Sequence, residues 1–235
     1  MVTDFHSHIL PGIDDGSTSV EESIALLRME AEQGVEHVVA TPHFYPNYQS
    51  PEEFLQKRAD AELKLRREME KYEGLPRLSV GAEVYFFHGM SQSVYLKALT
   101  IIGKSFIMLE MPESVWTDSM YQELADIHSQ QGITPIIAHV DRYLRFSNGR
   151  GIPKRLQELP VLVQANASFF LRKTTIRKAC HMLRRGQIDL LGSDCHNLTT
   201  RTPNLDGAVS CIRNRLGKDA IDWIQQREML VFGCK

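Results

Sequence analysis

The chain has 235 residues, of which 43% are hydrophobic and 24% charged, so it can bury the core of one large α/β barrel or of two small domains. No stretch rich in Gly, Ser or Pro separates two halves, so we expect one domain over residues 1–235, and the formal net charge of −2 excludes a general positive field for nucleic acid. The four cysteines lack the spacing of a zinc ribbon or a disulfide scaffold. The sequence also shows neither a secretory signal nor an apolar run of ~20 residues. These features predict a soluble cytoplasmic protein without a membrane span.

Short runs rich in β-branched residues alternate with longer amphipathic segments, which is typical of repeated βα units around a parallel sheet. Seven runs are predicted as strands: Val2–Phe5, His37–Thr41, Leu78–Glu83, Phe106–Glu110, Pro135–His139, Val161–Ala165 and Ile188–Gly192. Predicted helices are Val20–Gln33, Pro51–Tyr72, Ser119–Gln131 and Thr174–Arg185, with Gly34, Gly74, Gly132 and Gly186 as C-terminal stops. An open doubly wound sheet is the alternative, but HSHILPG stands where its glycine-rich phosphate loop would be. We therefore expect a seven-stranded (β/α) barrel.

Imidazoles and carboxylates stand at the ends of six of the seven predicted strands. In chain order they are His6, His8, His43, Glu83, Glu110, His139, Asp194 and His196. Barrel enzymes assemble their sites from side chains at the C-terminal ends of the strands, so these groups should meet at one rim. A single strand histidine is more often a packed or surface residue, and we interpret His37, His88, His128 and His181, which lie within elements, in that way.

This combination of donors predicts a cluster of divalent cations. Imidazole and carboxylate suit zinc, manganese and iron, and a carboxylate can bridge two ions. In HSH and in DCH the paired residues are two apart, so on an extended backbone both side chains point the same way. Eight ligands are too many for one tetrahedral zinc, which indicates two or three ions.

The motifs HSHILPGIDDG, TPHF, GAEVYF, LEMP, AHVDRY and SDCHN together resemble the polymerase and histidinol phosphatase (PHP) superfamily. More narrowly, they are similar to the bacterial PHP-type protein-tyrosine phosphatases of capsular and exopolysaccharide operons, over residue 1 to about residue 203. The resemblance implies a distorted (β/α)7 barrel with three metals. It places His6, His8, Glu83 and Asp194 on the first ion, and Glu83, Glu110 and His139 on the second. The third would take Asp14, His43 and His196, although the neighbouring Asp15 competes with Asp14 for this role.

The resemblance also assigns phosphate contacts to Arg142 in AHVDRY and to Arg201, five residues after His196. A guanidinium offers a bidentate fork to a phosphoryl group and stays charged at any relevant pH. A different motif overlaps the same loop, because Cys195 to Arg201 satisfies the C-x5-R spacing of cysteine-dependent phosphatases. That stretch has no glycine to fold amides around a phosphate, and alternation points Cys195 away from Asp194, so we expect a structural cysteine.

The expected reaction is hydrolysis of phosphotyrosine in a protein by a metal-bridging hydroxide, with no covalent enzyme intermediate. The alternative is a PHP phosphoesterase that acts on a small monoester such as histidinol phosphate. A nuclease is disfavoured by the charge, and a non-catalytic metal-binding module by the two arginines beside the ligands. The resemblance implies a bacterial tyrosine autokinase as the substrate. Manganese is the expected metal, with iron, zinc or magnesium as alternatives.

Overall fold

The computed structural model describes residues 2–146 and 151–233, and Cys234 lies outside them. The strands are β1 Thr3–Ser7, β2 His37–Ala40, β3 His43–Phe44, β4 Arg77–Val80, β5 Glu83–Tyr85, β6 Phe106–Glu110, β7 Thr134–Ile137, β8 Leu162–Asn166 and β9 Leu190–Gly192. The helices are α1 Val20–Glu32, α2 Pro51–Met69, α3 Asp118–Gln131, α4 Val140–Tyr143, α5 Ile152–Leu156, α6 Ala167–Leu171, α7 Ile176–Arg184, α8 Leu205–Leu216 and α9 Lys218–Phe232. The protein is therefore a mixed α/β protein, as the alternation predicts.

All strand pairs are parallel, in the orders β1-β2-β4 and β3-β5-β6-β7-β8-β9. The backbone curls until Ser7, at the end of β1, pairs with Cys195, which follows β9. The His8 N–H donates to the Cys195 carbonyl at 2.9 Å, and the Asp194 N–H donates to the His6 carbonyl at 2.8 Å. Hydrogen bonds thus join the first and last strands at their C-terminal ends.

Each predicted strand run overlaps an observed strand, but one of the seven runs is divided and a short strand is added. The run Leu78–Glu83 is split into β4 and β5 around Gly81, and β3 follows β2 after Pro42. Pro42 has no N–H to donate to a sheet ladder. Gly81 lies so close to Ile101 that an added Cβ would be 3.2 Å from its Cγ1. Interruptions of a strand at a single residue cannot be predicted from hydrophobic periodicity.

The helix boundaries follow from capping chemistry. Ser50 forms a reciprocal capping box with Glu53 at the start of α2, next to Pro51 at the first helical position. The four glycines predicted as stops all have positive φ, and Gly132 caps α3 with φ 65°. Three of the four predicted helices end within one residue of the observed ones, whereas α2 ends at Met69, before the predicted Tyr72.

Two apolar clusters form the core. The larger one packs helices such as α1 and α3 against the outside of the sheet. The smaller one joins strand residues, including Phe5 of β1 and Leu190 of β9, with Val231 of α9. The Phe5 and Phe232 rings lie 5.4 Å apart between centroids, so α9 covers the end of the sheet opposite the predicted site. Within residues 2–146 and 151–233, no helix is both long and apolar enough to cross a membrane.

Candidate metal centre and active site

The predicted ligands gather where the strands end. His6, at the end of β1, and His8, just after it, are completely buried, and Glu83 at the start of β5 is 1% exposed. The Nε2 atoms of His6 and His8 lie 3.1 Å apart. Two ligand atoms of one cation are separated by about 3 Å when each lies about 2 Å from the ion. The spacing of the HSH motif therefore produces the shared orientation that alternation predicts.

The Glu83 carboxylate is the centre of the cluster. One oxygen lies 3.1 Å from Nε2 of His6 and 3.0 Å from Nδ1 of His43, and the other lies 2.7 Å from Nε2 of His139. Burial disfavours its charge, but the surrounding His6, His139 and His43 outweigh burial and hold the pKa of Glu83 well below its usual range. A buried, ionised carboxylate that faces several imidazoles can bridge cations.

Second contacts of the histidine rings fix which nitrogen faces the cluster. Nδ1 of His6 lies 3.2 Å from Oε1 of Gln164, an oxygen that can only accept. Nδ1 of His8 lies 2.8 Å from Oδ2 of Asp14. Both rings therefore donate through Nδ1, which directs Nε2 into the cluster, where a cation can take the place of its proton.

His196 supplies the clearest sign of a missing partner. Its Nδ1 lies 3.1 Å from the carbonyl oxygen of Asp194, which can only accept, so Nε2 carries the lone pair. That Nε2 is buried and has no hydrogen-bond partner among the described residues. Burial, together with His8 and Arg201, lowers the pKa of His196 to about 4. A buried neutral imidazole with an unused lone pair fits a metal ligand.

The side chains fall into four overlapping groups whose donor atoms lie within 4.8 Å of one another. They are His8, Asp15, His43 and His196; His6, His8 and Asp194; His6, Glu83 and His139; and His43, Glu83 and Glu110. Burial lowers the pKa of His8, but hydrogen bonds to Asp14 and Glu83 outweigh burial and raise that pKa to about 10. Carboxylates that stabilise a proton so strongly would also stabilise a cation, so the donor set fits divalent metals.

The structure places Asp15, and not the predicted Asp14, in the group with His43 and His196. Oδ1 of Asp15 lies 3.6 Å from Nε2 of His43 and 3.4 Å from Nε2 of His196. Both oxygens of Asp14 are already engaged, since they accept from the N–H groups of Gly16 and His43 and contact His8. The structure thus brings Asp15, the alternative to Asp14, into the group with His43 and His196, and it brings Asp14 into contact with His8.

Two predicted ligands leave the extended backbone on which the prediction was based. His139 has φ 32° and Asp194 has φ 56°, and they are the described non-glycine residues with positive φ. Such conformations cost on the order of 1 kcal/mol or more and concentrate at functional sites. His6 and His8 therefore share an orientation through strand alternation, as predicted. Asp194 and His196 do not, because the backbone turns at Asp194.

Both predicted arginines contact a predicted ligand. Nη2 of Arg201 lies 2.7 Å from Oδ1 of Asp194, and Nη2 of Arg142 donates to the other oxygen of the same carboxylate. Nη1 of Arg142 also lies 3.7 Å from Oε1 of Glu110. The Arg142 side chain is 30% exposed and the Arg201 side chain is 37% exposed. The guanidinium groups therefore lie at the mouth of the cluster. They can meet an anion that approaches from solvent.

Sequence reasoning missed the uncharged residues that support the ligands. The side-chain oxygen of Gln164 also accepts the His139 N–H at 2.6 Å, and the Asn166 amide donates to Asp194 at 2.9 Å. Tyr45 donates through its hydroxyl to Glu110 at 3.1 Å, and the Tyr143 hydroxyl lies 3.2 Å from Nδ1 of His139. The only available signal was the position of Gln164 and Asn166 at the end of the sixth predicted run, which otherwise provides no ligand.

Cys195 belongs to none of these four groups but to a fifth one, with Asp4 and Glu30. It is completely buried, and its Sγ is 3.9 Å from Oε1 of Glu30 on α1, in a separate cluster with Asp4. Burial is the main cause that raises the pKa of the Cys195 thiol well above its usual range. A buried thiol of this kind is a poor nucleophile, which agrees with its expected structural role.

Comparisons with known proteins find relatives that match nearly the whole chain. The family model described as "Capsular polysaccharide synthesis, CpsB/CapC" matches residues 2–229. Tyrosine-protein phosphatase CpsB from Streptococcus agalactiae is 28% identical over 92% of this chain and 91% of its own length, and the CpsB of Streptococcus pneumoniae is 30% identical over 91% and 90%. A crystal structure from a study of Bacillus subtilis YwqE and pneumococcal CpsB, described as metal-dependent tyrosine phosphatases, superimposes with a TM-score of 0.85 at 21% identity, over 100% of this chain and 96% of that one.

Proposed function

The chain belongs to the CpsB/CapC family of capsular polysaccharide synthesis, and we propose that it is a metal-dependent phosphatase that hydrolyses phosphotyrosine in a protein substrate. Family membership confirms the resemblance that the motifs indicated. The two CpsB relatives are named tyrosine-protein phosphatases. The observation that carries the proposal is the meeting of buried imidazoles and carboxylates with two partly exposed arginines at Asp194. Phosphoryl transfer depends mainly on positioning and on stabilising charge, and these groups are suited to both.

We assign two or three divalent ions to this cluster, manganese first and iron, zinc or magnesium as alternatives. His6, His8, Glu83 and Asp194 would hold one ion, and Glu83 would be shared with a second ion held by Glu110 and His139. Asp15, His43 and His196 would hold a third. The support is the orphaned Nε2 of His196 and the fixed tautomers of His6 and His8. When bound, the ions supply Lewis acidity and activate the attacking water.

Arg142 and Arg201 would bind the phosphoryl oxygens and hold the phosphorus in line with the attacking water. Both guanidinium groups use one Nη on Asp194, and each retains further N–H donors for an anion. The charge that develops on the phosphoryl oxygens would then face two fixed cations in a partly buried site. A phenolate leaves more readily than an alkoxide, because tyrosine has a pKa of about 10, so phosphotyrosine needs less help from a general acid than phosphoserine.

The first test compares substrates on the same metal-loaded enzyme. A phosphotyrosyl peptide, the matched phosphoseryl peptide and histidinol phosphate would be assayed after chelation and after return of manganese, iron, zinc or magnesium. We expect activity to disappear on chelation, to return with at least one metal, and to favour the phosphotyrosyl peptide. Preference for histidinol phosphate would support the small-monoester alternative instead.

A second test separates phosphate binding from metal binding. Arg201→Ala should lower kcat/KM by about 100-fold or more while the metal content is unchanged, because it removes a charge on the phosphoryl group. Arg213→Ala, at an exposed arginine of α8, is the matched control and should retain activity. Loss of the metals from the Arg201 variant would make Arg201 a structural residue.

We further propose one phosphatase domain over residues 1–235 with a distorted (β/α)7 barrel, in which β2 with β3 and β4 with β5 each count as one interrupted strand. The support is the family match over residues 2–229 and the hydrogen bonds that join the first and last strands. A cytoplasmic location and a bacterial tyrosine autokinase as the substrate belong to the same proposal. They are tested by cell fractionation and by dephosphorylation of such a kinase with the purified enzyme.

A further inference from the structure

A cavity of about 320 Å³ opens beside Asp194, on the side occupied by the two arginines. Its lining includes Arg142, Arg172, Asp194, Thr200 and Arg201. Three of these residues also belong to the candidate active site, so the cavity is continuous with the place where a phosphoryl group would bind. Arg172 lines the cavity but is not part of the candidate active site.

The charges around this cavity are unequal. Asp194 is bound by both Arg142 and Arg201, and Asp141, the other carboxylate of the lining, accepts the Asn166 N–H. Arg172 is exposed, and no carboxylate among the described residues forms an ion pair with it. Three guanidinium groups therefore face two carboxylates that are already engaged, which leaves an excess of positive charge at Arg172.

The walls of the cavity are held in place by local hydrogen bonds. The Asn197 side chain accepts the N–H groups of Thr199, Thr200 and Arg201, which fixes the loop that follows His196. On the opposite side, the Arg172 N–H donates to the Ser168 carbonyl at the end of α6. A preformed site loses less entropy when it binds a ligand.

We propose that this cavity is a second anion subsite for the substrate polypeptide, in which Arg172 binds a carboxylate or a second phosphoryl group on a residue near the phosphotyrosine. The inference rests on the proposed phosphatase function and extends it to the recognition of the substrate. An arginine can contact either anion through two parallel N–H donors, so both sources share the same chemistry.

The test uses three phosphotyrosyl peptides of equal length and the metal-loaded full chain. One peptide has neutral neighbours, one has glutamates beside the phosphotyrosine, and one has a second phosphotyrosine. We expect wild-type kcat/KM to be about fivefold to tenfold higher for at least one anionic peptide than for the neutral peptide. The comparison of the glutamate and bisphosphorylated peptides identifies which anion the subsite takes.

Arg172→Glu should abolish this preference and leave kcat/KM for phenyl phosphate unchanged. Arg177→Glu, the same charge change at an exposed arginine of α7 outside the cavity, is the control and should retain the preference. Equal rates for the three peptides, or equal loss of preference in both variants, would overturn the subsite while the phosphatase function stands. Failure of the wild-type enzyme to hydrolyse phenyl phosphate and every peptide with any metal would overturn both.

Discussion

Nδ1 of His8 lies 2.8 Å from Oδ2 of Asp14, and this contact separates the roles of two adjacent aspartates. Burial opposes the charge of Asp14, but its hydrogen bond to His8 outweighs burial and lowers the pKa of Asp14 to about 2. Asp15 is 66% exposed and faces His43 and His196 instead. Asp14 therefore orients the ring of His8, whereas Asp15 faces the group to which we assign the third ion.

Substitutions at these two positions should therefore have different effects. Asp15→Asn should reduce the number of metal ions per chain, because it removes a charged ligand from the group with His43 and His196. Asp14→Asn should keep an acceptor near His8 and weaken metal affinity or activity by about 10- to 100-fold, as expected for a residue that orients a ligand. Elemental analysis and metal titration of both variants measure this. Full metal content in the Asp15 variant would contradict the assignment.

Glu30 gives a second prediction, since it is completely buried and adjacent to Asp4. Burial and the charge of Asp4 raise the pKa of Glu30 to about 11, so its carboxyl group is neutral at pH 7. Glu30→Gln should then leave the free energy of unfolding nearly unchanged, whereas Glu30→Ala should lower it by about 2 to 3 kcal/mol through a cavity and a lost donor. Urea unfolding of both variants is the measurement. A glutamine variant as unstable as the alanine variant would mean that Glu30 is ionised.

Cys195 distinguishes the metal mechanism from the thiolate mechanism that its C-x5-R spacing suggests. We expect Cys195→Ser to retain its metal ions and most of its kcat, because the thiol contacts Glu30 and points away from the ligands. Iodoacetamide should leave the native enzyme active, since the thiol is buried and its pKa is raised by burial. Loss of turnover in a fully metal-loaded serine variant would contradict this.

The strand-end rule located the metal-type cluster well from sequence because imidazoles and carboxylates are conspicuous there. It could not choose between Asp14 and Asp15, because the choice depends on how the loop after His8 closes. In that loop Gly16 lies so close to His8 that an added Cβ would be 2.2 Å from the His8 carbonyl oxygen, and its N–H donates to Asp14. Gln164 escaped notice for another reason, because an uncharged amide looks like any other strand residue until its partners are seen.

The last prediction concerns the pH dependence of stability, far from the metal-type cluster. Glu228 of α9 is buried and accepts from the N–H and the hydroxyl of Thr3 on β1, each at 3.3 Å. Burial raises the pKa of Glu228 to about 7, although the hydrogen bonds from Thr3 oppose this shift. In the unfolded chain a glutamate titrates near about 4.3, so between these values the folded protein binds the additional proton. The contribution of Glu228 to stability is thus complete at low pH and is lost as the pH rises through 7.

Glu228→Gln removes this titration and stays neutral. Relative to wild type, the variant should therefore gain stability progressively from about pH 4 to pH 7 and then level off, by about 1 kcal/mol or more at the upper end. Urea unfolding at several pH values, with Glu36→Gln as the control for a glutamate that lies nearby, measures the difference. A constant difference between variant and wild type over this range would show that Glu228 is already ionised in the folded protein.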